Sequence, residues 1–262
     1  MQIPVEDYRD IVSRSVARTG IIQHLYYQVF EEAYLSFRDS EAELRVLEKQ
    51  RTEPPSLEKR TELDRQIGRQ ASRTLPLACK SVVFAAMCLE AAIYDFAAWH
   101  LGDKYTVDHL DKLDFKAKWV VIPKLILKHD LVYGRPSMDP LNVLTKGRNK
   151  LVHYKSVEVP MDNPEAELKV YQGLLKRNEE IYAAAHAGFR VIAMISLDIS
   201  ELYGRIIHNP LPRFSKKDPA LAVGYAAALE EVVSRCRQIN AGATRAAEAA
   251  KAAAPFPPTA KS

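Results

Sequence analysis

Glycine is scarce in this chain, 10 residues of 262, while Ala, Leu, Glu, Lys and Arg are plentiful. That balance argues against a sheet-based fold and for helices. Cysteine is scarcer still. Cys79, Cys88 and Cys236 are an odd number without metal-ligand spacing, and two of them fall on one apolar stretch. They read as reduced, buried thiols of a cytoplasmic protein rather than as a disulfide framework or a zinc site. There is no glycine-rich phosphate loop, no Ser-His-Asp order and no internal repeat, and no metal or cofactor is expected. The opening MQIPVEDYRD is too polar for a secretory signal peptide. The most apolar run, residues 82–98, is interrupted by Glu90 and Asp95 and is short for a membrane span. It is expected to be the central helix of a soluble bundle, with no membrane partner. Charge of one sign is not in excess either. A formal +4 and a pI near 8.8 are compatible with an anionic partner without demanding one.

What is present is helical periodicity, long enough to bury a substantial core in one large domain or one domain with an extension. Residues 5–17 read as a first helix, with Gly20 as a break. From Ile21, the positions Ile22, Leu25, Tyr26, Val29, Phe30, Ala33 and Phe37 follow helical spacing. Beyond Arg38 the sequence becomes mostly charged, with Leu44, Leu47, Leu57, Leu63 and Ile67 offering only a narrow apolar seam. Pro54-Pro55 cannot continue a helix and Ser56 can cap the next, so an antiparallel hairpin projecting from the body is expected. It is either a solvated spacer or a docking arm or RNA guide. Residues 75–100 are apolar nearly all round and belong inside the bundle. Pro123 is expected to kink or divide a helix over 115–128. Arg135, in the loop that follows, is a candidate phosphate contact. Asn163-Pro164 marks a strong helix start. From there Leu168, Tyr171, Leu175, Asn178, Tyr182, Ala185, Phe189, Ile192, Ser196, Ile199, Tyr203 and Ile206 alternate threes and fours as one long packing seam. Asp218-Pro219 opens a last helix carrying Leu221, Tyr225, Leu229, Val232, Cys236 and Ile239. The division is therefore residues 1–74 (N-terminal helices with the charged hairpin), 75–208 (helical bundle) and 209–262 (C-terminal helix and a flexible Ala/Pro tail).

Chemistry concentrates in residues 139–155, DPLNVLTKGRNKLVHYK. Asp139 is a good N-cap and Pro140 suits the first helical position. Leu141, Leu144, Leu151 and Val152 supply an apolar side, against which stand Lys146, Arg148, Asn149, Lys150, His153, Tyr154 and Lys155. An arginine can clamp a phosphate through two charged hydrogen bonds. A histidine can move protons near neutral pH, and an asparagine can hold the imidazole or bond an oxygen. On an ideal helix Asn149 and His153 share a face, while Arg148 and His153, five apart, lie about 140° from each other. The bland alternative is a histidine interacting with terminal carbonyls beside a surface ion pair. His24, His100, His109, His129, His186 and His208 lack comparable company and read as structural or solvated.

The string Arg148-Asn149-Lys150-Leu151-Val152-His153 resembles the signature of the HEPN superfamily, an arginine followed by a polar residue and, after a few more positions, a histidine. SVVFAAMCLEAAIYDFAAWH, residues 81–100, resembles the long apolar helix with an embedded Leu-Glu that precedes the motif in many members. The resemblance covers about residues 75–203. It implies an all-α, HEPN-like bundle and a metal-independent endoribonuclease. In that activity His153 is the acid/base, Arg148 the phosphate clamp and Asn149 the orienting group. Lys146, Lys150, Tyr154 and Lys155 would be contacts to RNA. Glu90 could orient Arg148 as a supporting group, or form a structural salt bridge with any nearby base. The resemblance further implies a homodimer with a composite cleft at the motif helices, a defence or toxin-like role, and an antitoxin or sensor protein as partner. In one toxin branch a tyrosine two residues after the histidine is modified; Lys155 stands there in this chain, so that regulation does not carry over. A non-catalytic HEPN-like module binding protein, nucleotide or RNA is the alternative, and a helical scaffold working through its hairpin is a third reading.

Overall fold

The structure, a computed structural model, describes residue 18 and residues 22–52, 56–153, 156, 163–203, 207–214 and 225–253. The expected first helix, Pro54-Pro55, the loop leaving the motif, Ile206, the Asp218-Pro219 helix start and the tail lie outside the described residues. Every regular element among the described residues is helical. In chain order they are α1 (Gln23–Thr52), α2 (Leu57–Leu101), the short α3 (Asp103–Tyr105) with a π turn at Thr106–Leu110, α4 (Phe115–Leu127), α5 (Met138–Val152), α6 (Pro164–Tyr203) and α7 (Glu230–Ala253).

α1 and α2 form the most extensive pairing among these helices. The buried side of α1 is Tyr27, Phe30, Ala33, Tyr34, Phe37 and Leu44; of the expected positions Phe30, Ala33 and Phe37 are buried, Tyr26 and Val29 half-buried, and Ile22 and Leu25 exposed. The rings decide this. Two tyrosines complete the three-four spacing, and each can be buried because its hydroxyl finds a partner, Glu31 at 3.1 Å for Tyr27 and His186 at 3.0 Å for Tyr34. Tyr34 stacks on Phe189 of α6 with centroids 5.3 Å apart.

α2 starts at Ser56, whose hydroxyl accepts from the Lys59 N–H at 3.2 Å. It then runs for 45 residues without a break, with Pro76 inside it. The charged hairpin arm and the apolar core helix are thus one element, continuous across residue 75. A proline in a helix interior costs about 3 kcal/mol, which packing against α1 on either side of it offsets. Around that point Ser40 Oγ meets Thr74 Oγ1 at 2.7 Å, and Gln70 donates to the Ser40 carbonyl at 3.0 Å. Further out, Leu44 and Leu63 are the buried pair of a narrow seam, and Arg51 meets Asp64 at 2.6 Å.

α4 is capped by Asp114, which accepts from the Ala117 N–H at 2.9 Å, and it passes Pro123 undivided. α5 is capped at Ser137 rather than Asp139, with no side-chain cap bond. Asp139 sits instead in the first turn, where a negative charge faces the positive helix end. Pro140 there forfeits no intrahelical bond. α6 starts on Asn163, whose Oδ1 accepts from the N–H groups of Glu165 and Ala166, both at 3.1 Å. Its seam is buried from Tyr182 through Tyr203, but Leu168, Tyr171 and Leu175 are 56%, 59% and 47% exposed. The bundle thus covers only the second half of that helix. By length and composition α2 and α6 could each cross a membrane; their apolar windows are 50% and 78% buried in the fold, which is compatible with a soluble protein.

The expected phosphate contact, Arg135, is committed elsewhere. Its Nε and Nη2 donate to the buried Asp198 carboxylate at 3.2 and 2.8 Å. Asn240 of α7 donates to the same carboxylate at 2.9 Å. This pair ties the loop before α5 to α6 and α7. We predict that Arg135→Ala, by stranding a buried carboxylate, destabilises the fold by about 3–5 kcal/mol, read as a lowered urea midpoint. An unchanged midpoint would show that the tie is dispensable.

Candidate functional site

The candidate site sits on α5, and a glycine sets its orientation. A Cβ built on Gly147 would lie 2.3 Å from the Cβ of Ala184 on α6 and 3.8 Å from Val82 Cγ1 on α2. Real side chains do not approach so closely, so α5 can lie against α6 only because this position has none. With Gly147, Leu141 and Leu144 buried inward, helical geometry turns Asn142, Lys146 and Asn149 outward at steps of four and three. Lys146, Asn149 and His153 are exposed.

His153 is the C-cap, at φ −108° and ψ 16°, and its N–H donates to the Asn149 carbonyl at 3.0 Å. Arg148 is half-buried, and its Nη1 donates to Asn149 Oδ1 at 3.2 Å. Lys150 forms an ion pair with Glu180 on α6. The fold therefore brings Lys146, Asn149 and His153 onto one outward face. It leaves Arg148 around the side of the helix, linked to that face only through the Asn149 carboxamide. The basic residues crowd the C-terminal turn, where the partial negative end of the helix favours them. Tyr154 and Lys155 lie outside the described residues.

Glu90 does not meet Arg148. Gly147 contacts α2 at Val82, and Glu90 is eight residues further on, about 12 Å along the helix axis. Its Oε1 accepts from Lys118 Nζ at 3.4 Å, and Lys118 also meets Asp111 at 2.8 Å. The salt-bridge reading of Glu90 is the one the geometry shows.

His186, expected to be structural or solvated, is structural: it links α6 to α1. Tyr34 Oη lies 3.0 Å from its Nδ1, and Glu41 Oε2 lies 2.7 Å from its Nε2. Arg45 then bonds Glu41 at 3.2 Å and reaches Glu179 at 2.6 Å. Tyr34 and Glu41 stand one heptad apart on α1, and His186 stands four residues after the seam tyrosine Tyr182 on α6. Tyr34 is fully buried, and burial pushes its hydroxyl up to about 12. The Tyr34 end of the relay is thus closed to solvent, and the relay joins α1 to α6. Among the described residues no group of His, Cys, Asp or Glu is arranged to hold a metal ion.

The chain matches no family model, no curated protein and no solved structure.

Two outcomes are predicted. Gly147→Val forces a side chain into Ala184 and lowers stability by about 1–3 kcal/mol or more, measured by thermal unfolding, whereas Lys146→Ala on the outward face leaves stability nearly unchanged. The second concerns acid. Partial burial disfavours the Glu41 carboxylate, but its hydrogen bonds and charge contacts with His186 and Arg45 outweigh that and hold its pKa below the ordinary 4.5. A depressed carboxylate contributes stability that is fully present above the unfolded value and is lost as pH falls through the folded one. Glu41→Gln therefore removes part of the stability at pH 7 and flattens its decline below about pH 4.5. Parallel pH–stability curves for both proteins would contradict this.

Proposed function

We propose that the chain is a HEPN-like, metal-independent endoribonuclease acting through the end of α5. The observation that carries this reading is the exposed face shared by Lys146, Asn149 and His153, with Arg148 one bond away through the Asn149 carboxamide. In this reading the 2′-hydroxyl of RNA attacks the adjacent phosphorus and the 5′-oxygen leaves, giving a 2′,3′-cyclic phosphate. His153 takes the proton of the attacking hydroxyl or supplies one to the leaving oxygen. Arg148 holds the non-bridging oxygens and Asn149 keeps the imidazole in place. Lys146, Lys150, Tyr154 and Lys155 follow the backbone of the strand. A homodimer that sets two such helix ends side by side would supply one histidine for each proton transfer. It would also let the arginine of one copy serve the histidine of the other, which the 140° separation within one helix calls for. A cytoplasmic defence or toxin-like role, restrained by an antitoxin or sensor protein, belongs to the same proposal.

A non-catalytic RNA- or protein-binding module is the second reading. It is favoured by the prior engagement of Lys150 with Glu180 and by the absence, among the hydrogen bonds of the described residues, of one joining Arg148 to His153.

The test is cleavage of a mixed-sequence RNA by the purified protein in excess EDTA, beside His153→Ala, with circular dichroism to show that both are folded. Cleavage that falls by about 100-fold or more in the variant supports the nuclease. Equal cleavage by both, or none by either while RNA still binds, moves the function to the binding module.

A further inference from the structure

Away from the α5 end, a cleft of about 480 Å³ opens between the start of α1, the last third of α2 and Asp111. Its size is that of a small-molecule site. Ile22, Tyr26, Met87, Ala91 and Tyr94 form its apolar and aromatic wall, and Arg18, Gln23, Glu90, Asp95 and Asp111 its polar side.

The charges there do not balance. Arg18 serves two carboxylates, Asp95 at 2.6 Å and Asp103 at 3.1 Å. Lys118, almost fully buried behind the cleft, also serves two, Asp111 at 2.8 Å and Glu90 at 3.4 Å. Among the described residues, the three carboxylates of the cleft thus face two cations, and Arg18 is further shared with Asp103, which is 68% exposed and outside the cleft. His208 approaches Asp95 at 3.7 Å, whereas Glu90 and Asp111 have Lys118 alone among the described ion pairs. Asp95 is the better satisfied of the acids, since Gln23 also donates to it at 3.3 Å. Glu90 takes the longer of the two distances to Lys118 and is half-exposed at the cleft, so unneutralised charge lies between it and Asp111. Tyr26 and Tyr94 put aromatic surface nearby, whose negative faces attract cations.

We propose that this cleft binds a small organic ammonium ion, with its apolar or aromatic body against Tyr26, Tyr94 and Met87 and its charge beside Glu90 and Asp111. A polyanion is repelled from the same surface, so the site is separate from any that handles RNA. It stands whether or not the α5 end is a nuclease. The ammonium supplies the missing cation, and the wall supplies the burial that a free metal ion or water would not use. Selectivity is for charge joined to an apolar body, so an inorganic cation of the same charge binds poorly.

The experiment is calorimetric titration of the full chain with phenethylamine, protonated at pH 7, and with phenethyl alcohol, its neutral counterpart of similar shape. The amine binds about tenfold more tightly or better, the difference shrinks in high salt, and Glu90→Gln abolishes the preference while leaving the circular dichroism spectrum unchanged. Tyr94→Leu, one turn further along α2 from Glu90, weakens the amine without restoring the alcohol. Binding of amine and alcohol with equal affinity would reduce the cleft to an apolar groove and overturn the proposal. So would binding of neither, or amine binding indifferent to both substitutions.

Discussion

Three helices of this bundle meet where side chains have been removed to let them. Gly147 on α5 and Gly188 on α6 both face alanines, and a Cβ at Gly188 would stand 2.8 Å from that of Ala85 on α2. At each contact the backbones come closer than any larger residue allows, and the surrounding Val82, Leu144 and Phe30 fill the space around the contacts. The aromatic stack of Phe30, Tyr34 and Phe189 follows from the depth at which α6 is seated. The rotation of α5 follows as well, and with it the set of residues that solvent or a ligand can touch. A packing constraint on one inner face thus decides the chemistry of the outer one.

The chain's signals were legible where one residue acts on its own neighbours. Ser56 and Asn163 cap the helices they precede, and the seam from Tyr182 to Tyr203 is buried as its spacing requires. Pro123 does not divide α4, because its local cost is outweighed by packing that no local pattern displays. Ile22 and Leu25 misled for a related reason: hydrophobicity alone ranks them above tyrosine, while a tyrosine with a partner for its hydroxyl fits a core better. The relay of Tyr34, His186 and Glu41 needs residues about 150 apart in the chain, so no single stretch contains it. On α5 the candidate residues were readable as a set, but which of them face together was not. That depended on Gly147, a residue with no chemistry of its own.

The molecule also separates its charges. The end of α5 gathers Lys146, Arg148, Lys150 and His153, with Glu180 the one acid that meets them there among the described ion pairs. Among the described residues, the cleft beside α1 gathers Glu90, Asp95 and Asp111 around Arg18 and Lys118. Both lie along α2, at opposite ends of its packed half, so one bundle presents an anion-seeking and a cation-seeking surface without either neutralising the other.

The unbroken course of α2 makes the hairpin and the core a single mechanical piece. From Val82, where α5 is seated, to Leu57 at the outer end is 25 residues, about 37 Å of helix. A tilt of about 5° at the core would swing the tip by about 3 Å over that length. The arm is therefore a lever with its fulcrum among the alanines and glycines of the core. A load on its tip, where Leu57 stands exposed, is met first by α1 at Asp64, Leu63 and Gln70, and what they transmit reaches the contact that holds α5 in place.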